Sequence, residues 1–160
     1  MKAALQTPVG RILLTADGDS IRRVAWCEAG ELEPPEPGGV LAEAVTQLGD
    51  YFAGRRRDFD LAIALGSLEP ATRPVLLTLR QVPYGQAITY GQLAELSGTG
   101  LPARAIGSVM GANPVPLLIP CHRVLAGDGL GGYSGGPPGQ GLETKRWLLE
   151  HEGVLSPRLW

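Results

Sequence analysis

Residues 88–112 read ITYGQLAELSGTGLPARAIGSVMGA, and this stretch carries the signals that decide the fold. Thr89 can cap a helix while Gln92, three residues later, returns a hydrogen bond, and Gly98 is suited to the far end. Pro102 fits the first turn of a second helix. Two short helices joined by a tight turn that contains glycine form the helix-turn-helix pattern. Helical hairpins are common and most bind nothing, so the pattern alone leaves the function open.

The second predicted helix is unusually slim. Asn113 and Pro114 end it, and Arg104 is its one long charged side chain. Its small residues are Ala103, Ala105, Gly107, Ser108 and Gly111. A helix with so little bulk can lie close against another backbone, which is either a neighbouring helix or DNA. Composition alone does not choose between the two.

The first third of the chain predicts a small sheet. Short apolar runs separated by turn residues are typical of strands, and they lie at 2–7, 10–16 and 21–26. Residues 30–39, GELEPPEPGG, predict a loop. Apolar residues at helical spacing predict a helix over 40–54, closed by Gly54. The following segment, RRRDFDLAIAL, predicts a charged turn and then a further strand.

The pattern changes after this αβ unit. We expect an N-terminal αβ domain over 1–70 and a C-terminal domain over 71–160. In the second domain, TRPVLLTLRQV (72–82) predicts a helix that Pro83 ends, and ETKRWLLEHEG (143–153) predicts a final helix.

Composition and charge bound the function. Hydrophobic residues make up 44% of the 160 residues and charged residues 19%, as in a soluble protein with a real core. No apolar stretch approaches the roughly 20 residues of a membrane span and no secretory signal opens the chain, so we expect no membrane contact and a cytoplasmic location. The net charge of −2 disfavours binding to the polyanionic nucleic acids, so any phosphate contact must rely on a few placed arginines and backbone amides. Two cysteines and two histidines, scattered along the chain, do not fit a structural zinc site, and no metal is expected.

The segment LLIPCHRV, residues 117–124, places Cys121 beside His122. A cysteine attacks through its thiolate, and a nearby imidazole is the usual means of removing the thiol proton. Adjacent residues of an extended chain point to opposite sides, so we expect contact through a water or from a tightly turned segment. Glu150 and Glu152 are the carboxylates available to the second imidazole nitrogen. For an isolated Cys-His pair, chance adjacency is the simpler explanation.

The surrounding sequence favours a built site. Residues 111–136, GANPVPLLIPCHRVLAGDGLGGYSGG, concentrate prolines and glycines around the cysteine. So many rigid and special-φ residues predict a pocket of fixed shape made from loops. Tyr133 offers an aromatic wall and Ser134 a small hydrogen-bonding group, while the glycines leave room for a flat ligand.

Four segments together resemble the O6-alkylguanine-DNA alkyltransferase family. They are VPYGQAITYGQLAELSG (82–98), NPVPLLIPCHRV (113–124), YSGG (133–136) and KRWLLEHEG (145–153). The resemblance is strong over 82–153 and looser over the first eighty residues. It implies an α+β (or α/β) fold, with a small mixed β-sheet and a helix in an N-terminal RNase H-like domain. A C-terminal winged helix-turn-helix domain would carry the active site.

The resemblance implies a suicidal DNA repair protein. It would transfer an alkyl group, typically methyl, from O6-alkylguanine and from O4-alkylthymine in DNA irreversibly to Cys121, without a cofactor. Its partner would be double-stranded DNA, bound from the minor groove with the damaged base flipped out. The protein would act as a monomer, with clustering on DNA left open.

The family's catalytic roles carry over onto five residues. Cys121 would be the nucleophile, His122 would deprotonate it through a water, and Glu152 would orient the imidazole. Asn113 would brace the loop between the recognition helix and the nucleophile. Tyr90 would donate towards the guanine ring and press on the flanking phosphate.

The resemblance also implies residues for DNA and substrate binding. The central one is an arginine that fills the base stack after the lesion leaves it. The implied set is Arg104 and Ala103 at the groove, Thr99 at a phosphate, Met110, Pro116 and Tyr133 around the alkyl group, Ser134 at the O6 edge, and Arg123.

Three other interpretations start from the same residues. A non-enzymatic alkyl-lesion-binding protein of the alkyltransferase-like type shares the fold but carries tryptophan at the nucleophile position, so Cys121 argues against it. A cysteine hydrolase could use Cys121, His122 and Glu152, but no oxyanion-hole motif or nucleophile elbow supports it. A plain winged-helix regulator would not need the thiol.

Two segments depart from the family pattern. The link 135–144 is longer than usual, which leaves the size of the pocket rim open. Residues 68–81 lack the Phe-Gln and Trp that family members often show, so we expect altered packing beneath the site and unaltered chemistry. Cys27 has no matched role and is expected to be an interior or strand-end thiol.

Overall fold

The structure is a computed structural model that describes residues 1–28 and 38–156. Its N-terminal part is an antiparallel meander of β1 (Lys2–Thr7), β2 (Gly10–Asp17) and β3 (Ser20–Trp26), in the order β1-β2-β3. These bounds confirm the three strands predicted from the sequence. The predicted loop over 30–39 lies, for residues 30–37, outside the described residues.

Helix α1 (Val40–Phe52) packs on the sheet and contacts all three strands. Alternate residues of β2, such as Ile12 and Leu14, are fully buried on the covered face. Gly54 follows the helix with a φ of 79°, which glycine adopts without strain, and ends it as predicted. The buried residues of the helix are Leu41, Ala44, Gln47, Leu48 and Tyr51.

The prediction of a strand in residues 58–65, after the three arginines, is wrong. This segment makes a single parallel bridge, between Ile21 of β3 and Ile63, which gives the sheet its mixed character. The reason lies just before the bridge, where the Gln47 side chain forms hydrogen bonds with both the N–H and the carbonyl of Asp60. The Asp60 N–H donates to Gln47 Oε1 at 2.9 Å and Gln47 Nε2 donates to Asp60 O at 3.2 Å. With these groups satisfied by a side chain, no longer ladder forms.

The C-terminal part is mainly helical. Its elements are α2 (Thr72–Leu79), β4 (Ile88–Thr89), α3 (Tyr90–Ser97), α4 (Ala103–Gly111), a 3₁₀ turn (Cys121–Arg123), β5 (Val124–Leu125) and α5 (Gly141–His151). Strands β4 and β5 pair in parallel. Helix α2 stops short of Pro83 because its last turn tightens into i→i+3 hydrogen bonds, one of them from the Gln81 N–H to Thr78 O. Across the described residues, none of the helices has the length and apolar character that a bilayer crossing needs.

The two helices of the opening stretch form as predicted. The Gln92 N–H donates to Thr89 Oγ1 at 3.1 Å, and the Thr89 N–H donates to Gln92 Oε1 at 2.9 Å. These two bonds complete the capping box. Gly98 closes α3 with a φ of 67°.

Helix α4 presents its slim face outward. Its inward residues Ile106, Val109 and Met110 are buried in the core. Close packing within the chain therefore does not explain its small residues, and the exposed face is open to a partner. The exposed residues are Ala103, Arg104, Gly107, Ser108 and Gly111.

The two parts share one continuous core. Strand β3 reaches the C-terminal part through the Val24 N–H, which donates to Pro114 O at 2.9 Å. At the end of the same strand, the rings of Trp26 and Tyr133 meet edge to face with centroids 6.2 Å apart. The N-terminal sheet thus supports the loops on both sides of Cys121.

The long link 135–144 adds a further contact between the two parts. A Cβ on Gly10, whose φ is 108°, would lie 2.9 Å from Pro137 Cγ. The proline ring therefore sits directly on the turn between β1 and β2, where only glycine leaves room for it. This link therefore joins the segment after Tyr133 to the N-terminal sheet.

We expect Thr89→Ala to lower the free energy of unfolding by about 1 kcal/mol, because it removes the oxygen that caps α3. Thr78→Ala is the control, since its hydroxyl donates only within α2, to Pro74 O at 2.8 Å. This change should cost less than about 0.5 kcal/mol. Urea denaturation measures both variants, and equal losses would contradict the capping role.

Candidate active site

Cys121 opens the 3₁₀ turn after Pro120. The preceding loop is held by Asn113, whose Nδ2 donates to Ile119 O at 2.9 Å and whose Oδ1 accepts from the Val115 N–H at 3.0 Å. The Asn113 side chain also acts to lower the pKa of Cys121. The side chain that the sequence predicts as a brace thus spans the loop that leads to the candidate nucleophile.

The Cys121 side chain is 4% exposed. Burial raises its pKa to about 11, although the Asn113 hydrogen bond and the charge of Lys145 act in the opposite direction. At neutral pH the group is therefore a thiol. A base must remove its proton before the sulfur can act as a nucleophile.

Glu152 is the meeting point of the site. Its Oε2 accepts from His122 Nε2 at 2.7 Å and from the Tyr51 hydroxyl at 2.5 Å. Arg123 forms a bidentate pair with the carboxylate, with Nε donating to Oε1 at 2.7 Å and Nη2 donating to Oε2 at 3.1 Å. Of the two carboxylates that the sequence offers, Glu152 holds the imidazole, whereas Glu150 faces an arginine one turn earlier on α5 at 3.8 Å.

The Glu152 carboxyl is ionised at neutral pH. Burial opposes ionisation, but the hydrogen bonds and charges of His122 and Arg123 outweigh it and lower the pKa to about 2. The guanidinium of Arg123 forms an ion pair with this carboxylate. The carboxylate therefore remains an acceptor on both oxygens over the whole physiological range.

The expected contact of Arg123 with DNA or substrate is wrong. The side chain is 6% exposed, and its Nη1 donates inward to Val82 O at 2.7 Å. Its remaining bonds go to Glu152. Arg123 is an internal ion-pair partner of Glu152, because a guanidinium placed next to a buried carboxylate removes the cost of leaving that charge alone.

His122 is neutral at neutral pH. Burial lowers its pKa, against the hydrogen bond and charge of Glu152. Because an ionised carboxylate can only accept, Nε2 carries the ring proton in the bond to Glu152. Nδ1 then holds a lone pair, and it is buried without a hydrogen-bond partner in the described part of the chain. An oriented, neutral imidazole with one free nitrogen is suited to take a thiol proton.

The sequence does not predict Lys145 as a site residue. The side chain is fully buried, and its Nζ donates to Val124 O at 2.6 Å and to Gly132 O at 3.0 Å. Burial lowers its pKa to about 8, and only an ionised Cys121 would act in the opposite direction. The sequence signal that could have revealed it is its spacing from Glu152. Lys145 lies about two helical turns before Glu152, the residue that caps α5, and therefore on the same side of the helix.

Tyr51 is the second residue that the sequence does not place in the site. Helical spacing assigns it only to the apolar stripe of α1, and it is indeed 1% exposed. Burial and the neighbouring Glu152 raise the pKa of Tyr51 far above its ordinary value, so its hydroxyl is always a donor. Through this hydroxyl the N-terminal part bonds directly to the site.

A cavity of about 580 Å³ opens between α3, α4 and the segment after β5. Three predicted site residues, Tyr90, Ala103 and Arg104, line it. Gly132 lines it as well, and its carbonyl accepts a hydrogen bond from the Lys145 amine. The same amine lies 5.9 Å from the centre of the Tyr90 ring. The lysine therefore lies near the Tyr90 side of the cavity, and its charge also acts on Cys121.

Other predicted binding residues lie elsewhere. Pro116 and Ser134 line a second cavity of about 650 Å³ against β3. Met110 is buried, and the Thr99 hydroxyl makes its hydrogen bonds within the turn between α3 and α4. Pro116 and Tyr133 line different cavities, since Tyr133 borders a third cavity of about 550 Å³ beside the 135–144 link.

Two glycines allow the chain to pass closely over aromatic rings. A Cβ on Gly131, whose φ is 72°, would lie 2.8 Å from the Tyr90 ring, and a Cβ on Gly135 would lie 2.7 Å from the Tyr133 ring. Any larger residue at either position would have to displace a tyrosine. The glycines expected to leave room for a flat ligand leave room first for these two rings.

Cys27 lies directly after β3 and is half-buried, as expected of a strand-end thiol. Its N–H donates to Arg11 O at 2.9 Å. Both cysteines of the chain are free. Within residues 1–28 and 38–156, no group of three or more His, Cys, Asp or Glu is arranged to hold a metal ion.

The fold and the site define a two-domain protein in which a buried cysteine follows a helix-turn-helix unit. Residues 70–154 match the model of the DNA binding domain of 6-O-methylguanine DNA methyltransferase, and residues 1–65 match the ribonuclease-like domain of the same proteins. The chain belongs to the 6-O-methylguanine DNA methyltransferase family. The α+β architecture expected from the resemblance is thereby confirmed.

Known relatives extend over almost the whole chain. It is 39% identical over 150 residues to the methylated-DNA–protein-cysteine methyltransferase of Metallosphaera sedula, which covers 93% of this chain and 90% of the relative. The Shigella flexneri protein of the same name is 34% identical, over 97% and 96% of the two chains. The crystal structure of Mycobacterium tuberculosis O6-methylguanine methyltransferase superimposes with a TM-score of 0.79 at 32% identity, over 98% and 96%. That of the M. tuberculosis OGT in complex with DNA gives 0.78 at 34% identity, over 94% and 91%.

The Glu152 pKa of about 2 lies below the ordinary value of 4.5, so between these pH values the unfolded state binds more protons than the folded state. The stability that Glu152 contributes is therefore present above about pH 4.5 and is lost as the pH falls towards 2. We expect Glu152→Gln to flatten this loss.

Urea denaturation from pH 6 down to pH 3 measures the effect, with Glu150→Gln as the matched control on the same helix. The control should keep the wild-type slope. An unchanged slope in Glu152→Gln would contradict the assignment of the depressed pKa to this carboxyl.

Proposed function

We propose that the protein transfers an alkyl group, methyl in the simplest case, from O6-alkylguanine in DNA irreversibly to Cys121. O4-alkylthymine is a second substrate of the same class. The observation that carries the proposal is a buried Cys121 thiol next to a neutral His122 held by Glu152, in a chain of the methyltransferase family. A thioether is not hydrolysed at neutral pH, so each molecule reacts once.

Proton transfer precedes alkyl transfer. His122 Nδ1 accepts the Cys121 proton through a water, and Glu152 stabilises the resulting imidazolium through Nε2. The charge of Lys145 stabilises the thiolate. A thiolate is a far better nucleophile than a thiol, so this step sets the reactivity of the site.

The thiolate then displaces the base from the alkyl carbon. The S–C bond forms as the C–O6 bond breaks, and the electron pair of the broken bond stays on guanine. Tyr90, which lines the cavity, donates towards the guanine ring as this charge develops. Guanine then takes up one proton, which balances the proton that Cys121 gave to His122, so the products are an S-alkylcysteine and an undamaged neutral guanine.

Helix α4 is the DNA-binding element of this proposal. Arg104 and Ala103 stand on its exposed face and line the 580 Å³ cavity. Because Cys121 is 4% exposed, a base stacked within a duplex cannot reach it. The lesion is rotated out through the minor groove and Arg104 fills the space it leaves. The protein acts as a monomer, with the DNA contacts in the domain over 71–160.

Incubation with a duplex that contains O6-methylguanine should add one methyl mass per molecule, on the peptide that contains Cys121. Mass spectrometry of intact and digested protein measures both stoichiometry and position. Cys27→Ala should retain full uptake, whereas Cys121→Ala should take up nothing and still bind the lesion duplex.

A non-enzymatic alkyl-lesion-binding protein, the alternative function, would bind the same duplex and gain no mass. Methyl found on any residue other than Cys121 would likewise refute the proposed reaction.

We expect Arg104→Ala to slow repair of duplex O6-methylguanine at least about tenfold while changing the reaction with free O6-benzylguanine little, because only the duplex requires a stable vacancy in the base stack. Single-turnover rates with both substrates measure the ratio. Arg73→Ala, an exposed arginine on α2, is the matched control and should leave both rates unchanged. Equal losses on the two substrates would contradict a role in base flipping.

A further inference from the structure

Three donors converge on one oxygen of Glu152. Its Oε2 accepts from the Tyr51 hydroxyl at 2.5 Å, from His122 Nε2 at 2.7 Å and from Arg123 Nη2 at 3.1 Å. The other oxygen, Oε1, receives Arg123 Nε at 2.7 Å. An oxygen of a carboxylate has about two lone-pair sites, so the three donors compete for it.

We propose that Tyr51 is a positioning residue that sets the proton affinity of His122 by sharing Glu152 Oε2 with it. A hydroxyl that donates to Oε2 withdraws electron density that would otherwise attract the proton on His122 Nε2. Tyr51, which lies in the N-terminal domain, thereby lowers the basicity of the His122 imidazole without touching the substrate. The inference rests on the roles of Cys121 and His122 proposed above.

The position of Tyr51 is fixed by its surroundings. His151 Nε2 donates to Tyr51 O at 2.7 Å, which anchors the end of α1 to α5. The ring is 1% exposed and meets the rings of Tyr84 and His151 edge to face, with centroids 6.2 Å and 5.2 Å apart. A side chain enclosed in this way cannot turn its hydroxyl to another acceptor without moving the helix.

Because of the charges around His122, its basicity depends mainly on its bond to Glu152. Glu152 is the negative group of the cluster at neutral pH, because the Cys121 thiol is protonated there. The positive charges of Arg123 and Lys145 disfavour an imidazolium. A change in how strongly Glu152 attracts the imidazole therefore passes directly to its basicity. The titratable and charged groups facing the pair are Tyr51, Tyr84, Cys121, Arg123, Tyr133 and Lys145, with Arg57 over the Tyr84 ring.

The test uses Tyr51→Phe in the full-length protein, a change that removes one oxygen atom and leaves the ring. Freed from the competing donor, Glu152 Oε2 should bind His122 more strongly and raise the His122 pKa by about half a unit or more. The alkyl-transfer rate with free O6-benzylguanine should fall about threefold on the acid side of its pH profile and stay near wild type at higher pH.

Tyr84→Phe is the matched control. Its hydroxyl lies in the same interior but donates to His151 O at 3.1 Å and not to Glu152. NMR titration of ¹⁵N-labelled histidine reads the pKa directly, since the chain has only His122 and His151. Tyr84→Phe should leave the His122 titration unchanged.

A second variant gives the opposite sign and does not depend on the stability of Tyr51→Phe. Site-specific 3-fluorotyrosine at position 51 makes the hydroxyl a stronger donor and should lower the His122 pKa. If both variants leave the His122 titration and the pH profile at their wild-type values, Tyr51 is structural and the proposal is overturned. The titration needs no DNA, so it stands apart from the proposed function, which fails on its own if wild-type protein takes up no alkyl group.

Discussion

The site depends on one buried carboxylate that receives donors from two separate regions of the chain. Glu152 binds His122 and Arg123 from the 3₁₀ turn and Tyr51 from α1. A buried charge is tolerated only when its partners are in place, and removal of one partner typically costs about 3–5 kcal/mol. His122, the proposed base, is therefore held by α5 and the nucleophile turn through Glu152, and Tyr51 adds a bond to the same carboxylate from α1, so the site draws on both domains.

This arrangement explains how a protonated, buried cysteine can be useful. Burial holds the Cys121 thiol at a pKa of about 11, which protects it while no substrate is present. In the proposed reaction, the free Nδ1 of His122 supplies the base and the charge of Lys145 stabilises the thiolate. A residue that reacts once and is never regenerated benefits from such restraint, because any other electrophile that reached the thiolate would consume the protein.

Local signals in the sequence predict the elements well. The alternation that places Ile12 and Leu14 inward, the capping box of Thr89 and Gln92, and the small residues of α4 each depend on a few neighbouring positions. What sequence could not predict depends on distant contacts or on burial. Tyr51 and Glu152 are 101 residues apart, and a charged side chain such as Arg123 or Lys145 is normally expected on the surface. The prediction of a strand after α1 was wrong for the same reason, because the Gln47 side chain of that helix hydrogen-bonds to the backbone of Asp60.

The tautomer of His122 tests the central claim most directly. The account requires a neutral ring at pH 7, with the proton on Nε2 in the bond to Glu152 and a bare Nδ1. The ¹⁵N chemical shifts of the two ring nitrogens in wild-type protein report this without any substrate or mutation. We expect one protonated and one unprotonated nitrogen, assigned to Nε2 and Nδ1. A proton on Nδ1, or a fully protonated imidazolium at pH 7, would contradict the account.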